Sequence, residues 1–196
     1  MAAIAATVVT ALILYSLDHD YSPHANPKAH RWSTVTISTS DLPFTPEAPS
    51  VDAVYAVSNL SCMKPRMVSG ALPMPQKTIA IPVVKLSDSS YAAKLPLDPY
   101  ADENYDGLGD CHWDFASATF NMKHGPRHLR ATISNKAVES NGSETRYFTS
   151  WQFNSSPTDL PQTGISNPQV LHPRDGESLH AVTLTAKEAT DERDSK

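Results

Sequence analysis

Residues 98–122, DPYADENYDGLGDCHWDFASATFNM, set an acidic, glycine-hinged loop directly against a strand that opens with a cysteine and a tryptophan. From the cysteine onward, Cys111, Trp113, Phe115, Ser117 and Thr119 fall on one face of an extended chain, with His112, Asp114, Ala116, Ala118 and Phe120 on the other. A period of two is that of a half-buried strand. The loop therefore delivers a cysteine and two large rings, Trp113 and Phe115, into a core.

Working outward, Lys123-His124-Gly125-Pro126-Arg127-His128 turns this strand back into residues 129–134 as a hairpin. Further strands are predicted at 51–63, at 78–86, at 91–97, at 144–153 and at 179–185. Pro82 demotes the second of these to an edge or a bulge. In residues 144–153 (ETRYFTSWQF), Tyr147, Thr149, Trp151 and Phe153 share a face, which makes Tyr147 and Trp151 candidate core residues, and the turn pair Asn141-Gly142 precedes them. Sixteen prolines against seven glycines argue for short strands and irregular connections rather than helices. The expected fold is all-β, an antiparallel β-sandwich over residues 51–186, followed by a charged, disordered tail at 187–196.

Residues 2–17 (AAIAATVVTALILYSL) carry no charge, and Asp18 and Asp20 end the run. The length lies between a signal-peptide core and a full membrane span, so residues 1–17 are expected to form a hydrophobic helix that is a membrane anchor or an uncleaved signal. The acidic exit suits the translocated side. That predicts a single-pass protein of the cytoplasmic membrane with its domain on the periplasmic or extracellular side. Residues 18–50, punctuated by Pro23, Pro27, Pro43, Pro46 and Pro49, read as a stalk. Within it Trp32, Thr34 and Thr36 alternate with Ser33, Val35 and Ile37, a pattern that suits a sheet edge.

Cys62 and Cys111 are the whole cysteine complement. In an exported protein they are expected to pair, and closing that loop is worth roughly 3–4 kcal/mol of chain entropy. In a cytosolic core they would be two buried thiols.

Asp102, Asn104, Asp106 and Asp110 place oxygen atoms at short, regular intervals around Gly107, the kind of spacing with which a loop wraps a hard cation. Residues 102–114 (DENYDGLGDCHWD) resemble a single calcium repeat of the thrombospondin type 3 kind, and that resemblance implies Ca2+ as an alternative to a fold with no cofactor. A solvated turn rich in Asp and Asn accounts for the same residues without metal. Lys123, His124, Arg127 and His128 gather positive charge at a hairpin tip, a candidate contact loop for an acidic partner. A net charge of -5 gives no nucleic-acid footprint. The chain has no Gly-x-Ser-x-Gly elbow, no His-Glu-x-x-His and no phosphate-binding glycine loop, and no catalytic residue is assigned.

The layout of anchor, stalk and β-domain, together with residues 107–113 (GLGDCHW), resembles small membrane-anchored periplasmic proteins of Gram-negative bacteria, some of them toxin-immunity proteins. The resemblance implies a binding module with a protein partner, one that occludes a toxin by surface complementarity without catalytic residues of its own. The alternatives are a structural or adhesive envelope domain with a calcium-ordered loop, and a hydrolase.

Overall fold

Alternating apolar residues recur along most of the chain, and each alternating run becomes a strand with one face turned inward. The computed structural model describes residues 21–66, 69–154 and 160–189. Within them the strands are β1 (Trp32–Ser38), β2 (Glu47–Val57), β3 (Gln76–Ile81), β4 (Val83–Ser87), β5 (Ser90–Pro96), β6 (Trp113–His124), β7 (Arg127–Ser134), β8 (Ser143–Thr149), β9 (Gln162–Thr163) and β10 (Leu179–Ala189). Two single helical turns, α1 (Asn135–Glu139) and α2 (Ser150–Asn154), flank β8. The strands form two five-stranded sheets, ordered β4-β5-β1-β10-β8 and β3-β2-β6-β7-β9. Between them lie Ile37, Tyr91, Leu95, Phe148 and Leu184 from one sheet and Tyr55, Phe115, Phe120, Leu129 and Ile133 from the other, all essentially inaccessible to water. The all-β class is as the alternation predicts. One pairing, β7 with β9, is parallel, so the second sheet is mixed.

The alternation of β6 does not run unbroken. The β2–β6 register pairs Val54 with Ser117 but Tyr55 with Phe115, so Ala116 is an extra residue on β6. A bulge of this kind inverts the faces beyond it. Trp113 and Phe115 point inward before it, and Ala118, Phe120 and Met122 point inward after it. The face predicted for Ser117 and Thr119 is therefore corrected: both are half-buried, and Phe120 takes the core.

Pro82 marks a change of sheet. Residues 78–86 are two strands rather than one: β3 is the edge of the β2 sheet and β4 the edge of the β5 sheet. The opposite side is closed by residues 162–165. There β9 pairs with β7 while Ile165 bridges Tyr147 of β8, with N···O distances of 2.8 and 3.0 Å. Arg146 of β8 adds a bond from its Nε to the Thr132 carbonyl of β7 at 2.6 Å. The two sheets are thus joined along both long sides.

Three boundaries differ from expectation. Residues 18–50 are not simply a stalk: β1 lies between β5 and β10, and β2 starts at Glu47. Its inward residues Ser33, Val35 and Ile37 are buried, and the polar outer residues hid a central strand. At the other end, β10 continues through Lys187 to Ala189. Trp151 is not a core residue; it is 46% exposed, with the Arg174 guanidinium 5.8 Å from its ring centre. The reason is that the strand stops at Thr149 and α2 begins, so Phe148 and Phe153 fill the core and Tyr147 is half-buried on the outer face. The predicted hydrophobic helix at residues 1–17 lies outside the described residues. Among the described residues no helix is long and apolar enough to cross a membrane.

Candidate functional site

The acidic loop is tied into the protein through its own polar atoms. Cys62 and Cys111 form a disulfide with a Cα–Cα distance of 5.3 Å, and both are buried. Backbone bonds between Glu103 and Cys111, at 2.8 and 3.3 Å, close the loop over it. Asp106 is 9% exposed and accepts from the Tyr21 hydroxyl at 2.9 Å and the Lys64 amide at 2.8 Å. Asn104 accepts from the Gly107 amide at 2.6 Å, where a φ of 76° favours glycine. Asp102 meets His112 Nδ1 at 2.7 Å, and the Asp110 carbonyl accepts from Asn59 at 2.7 Å. Among the described residues no group of three or more acidic, His or Cys side chains is placed to hold a metal. The predicted calcium ligands therefore do not fit a cation cage: Asp106 points inward to protein donors while Asp102 pairs outward with His112. Trp113 Nε1 donates to the Tyr105 hydroxyl at 3.0 Å, which binds the loop to the strand that follows. The loop is a structural brace around the disulfide.

The other end of β6 carries different chemistry. His124 ends β6 opposite Arg127, and Lys123 pairs with His128. The His124 ring stacks on Phe44 at 4.0 Å, and Phe44 meets Phe153 edge-on at 5.2 Å. Pro43, Phe44, His124, Ser150, Phe153, Asn154 and His180 line a cavity of about 310 Å³. The contact hairpin read from sequence thus adjoins a mouth that the sequence did not disclose.

Three residues in this mouth form a chain of polar contacts. His180 Nδ1 lies 2.8 Å from the Asp41 carbonyl oxygen. A carbonyl only accepts, so Nδ1 carries the proton and, in the neutral ring, Nε2 is left as an acceptor. That acceptor is 3.3 Å from Ser150 Oγ. The Ser178 amide donates to the same Oγ at 3.0 Å, and the Ser178 carbonyl lies 3.1 Å away as a second acceptor for its proton. The Asp41 carboxylate accepts from the Ala181 amide at 2.7 Å, so it fixes the backbone beside His180 rather than the ring itself. Phe153 packs against His180 at 5.2 Å.

Sequence reasoning missed Asp41, Ser150 and His180. His180 and Asp41 are 139 residues apart and Ser150 and His180 are 30 apart, with no local motif joining them. They meet because the turn after β1, the end of β8 and the start of β10 share one end of the same sheet. No family model, no curated protein and no solved structure matches the chain.

Proposed function

We propose that the chain is an exported, membrane-anchored binding module whose contact surface is this mouth together with the β6–β7 hairpin. One observation carries the reading: two aromatic walls, Phe44 and Phe153, and two imidazoles, His124 and His180, line one cavity at the end of the hairpin that carries Lys123, Arg127 and His128. Apolar walls with a few convergent polar groups are the usual make-up of a ligand site. The positive charge of the hairpin suits a carboxylate on a short apolar stem, which an acidic side chain of a protein partner supplies. The disulfide supports an oxidising compartment. In the form given by the sequence resemblance, the partner is a toxin whose active site the module covers. The calcium-ordered alternative has no support from the loop, whose Asp106 and Asn104 oxygens face protein donors.

The test is a pull-down with the disulfide-bonded protein as bait, wild type beside Phe44→Ala and Lys123→Glu/His128→Glu variants, each with and without a chelator. One protein captured at equal stoichiometry by the wild type, lost with both variants and indifferent to chelator, supports the reading. Capture unaffected by either variant, or no capture, overturns it.

A further inference from the structure

We propose that Ser150 and His180 are a nucleophile and general base able to transfer an acyl group from a small ester held in the cavity. This goes beyond partner binding, although it uses the same mouth. The Asp41 carbonyl holds the ring in the tautomer that leaves Nε2 free to take a proton, and Nε2 faces Ser150 Oγ at 3.3 Å. A nucleophile paired with a base that a third group orients is the arrangement covalent catalysis needs, and such contacts are commonly looser before substrate binds. Phe44, Phe153 and Pro43 give an acyl or aryl group an apolar bed beside Oγ, and the Asn154 amide and His124 ring are the polar side chains lining the same cavity.

The step balances within these groups. As the Ser150 Oγ–C bond forms, its proton passes to His180 Nε2. The bond to the leaving oxygen breaks, and the alcohol departs with that proton. Water then attacks the acyl-serine, giving a proton to Nε2 that returns to Oγ as the acid leaves. Orientation here comes from a neutral carbonyl rather than a carboxylate, so the tautomer is right while the imidazolium lacks a counter-charge. Activated esters are therefore the fitting substrate class, with slow turnover.

The experiment treats the intact, disulfide-bonded protein with an alkyl fluorophosphonate and maps any adduct by mass spectrometry, with hydrolysis of p-nitrophenyl butyrate followed in parallel. One adduct, on Ser150, is expected. His180→Gln should slow its formation by about 10²-fold, the scale of a lost general base, and Ser150→Ala should abolish it. Because Ser150 also pins Ser178, the decisive sample is the wild type, whose folding is not in question. Absence of an adduct on Ser150, or a rate unchanged in a folded His180→Gln variant, overturns the proposal. Capture of a partner by a wild type that takes no adduct removes the activity and leaves the binding reading standing; labelling without capture does the reverse.

Discussion

The backbone of Gly164 lies so close to the ring of Phe148 that a Cβ added there would meet the ring's Cζ at 2.6 Å and Arg146 Cβ at 2.7 Å. Phe148 is fully buried and Gly164 donates to the Arg130 carbonyl at 2.9 Å, so neither side has room to move. This contact seals the seam between β7 and β8. Gly164→Ala is expected to destabilise the protein by about 1–3 kcal/mol, the range for overpacking a core, read as a lower denaturation midpoint.

Replacing Cys62 and Cys111 together with serine should lower stability by roughly 3–4 kcal/mol through the restored freedom of the unfolded chain. Both sulfurs are buried, so the oxidised protein should resist mild reductant at temperatures well below its melt. Thermal melts of the double variant and of the wild type with and without reductant check both statements.

Asp106→Ala removes the acceptor for the Tyr21 hydroxyl and the Lys64 amide. The expected loss is about 1–3 kcal/mol, that of leaving part-buried donors unpaired. Because the carboxylate serves protein donors, a chelator should leave the melting temperature of both the wild type and the variant where it was. A chelator effect equal to that of the mutation would restore the calcium reading.

Tyr55 donates to the Pro96 carbonyl at 2.6 Å across the core. Burial, with smaller contributions from Tyr100 and Asp98, pushes its phenol well above the ordinary tyrosine range. The folded state holds the proton more tightly than the unfolded state does. Stability from this group is thus complete below about pH 10 and is lost as pH rises beyond it. Tyr55→Phe should flatten that alkaline loss while lowering stability at neutral pH by about 1 kcal/mol, as denaturant titrations across pH would show.

How far the fold can be read from the chain depends on where its chemistry is local. The period-two run after Cys111 announced β6 and the turn at 123–128 announced β7, because each is decided by neighbouring residues, whereas Pro82, read as an edge or a bulge in one strand, proved to be a change of sheet. β1 was masked by Thr34 and Thr36 on its outer face, and its central place depends on β5 and β10, which come much later. The bulge at Ala116 belongs to the β2 register rather than to β6 alone. The same division applies to function. The hairpin charges lie side by side in sequence, whereas Asp41, Ser150 and His180 become neighbours only once the sheet is assembled.

β6 spans twelve residues, roughly 36–40 Å of extended chain, with the disulfide brace at its start and the mouth at its finish. Tyr21 meets Tyr105 and Asp106 at the brace, and Ala189, where β10 ends, pairs with Trp32 near the same end. Both ends of the described fold therefore emerge at one pole and the mouth opens at the other. The first and last described residues thus stand behind the domain, and the His124–His180 face is displayed forward of both.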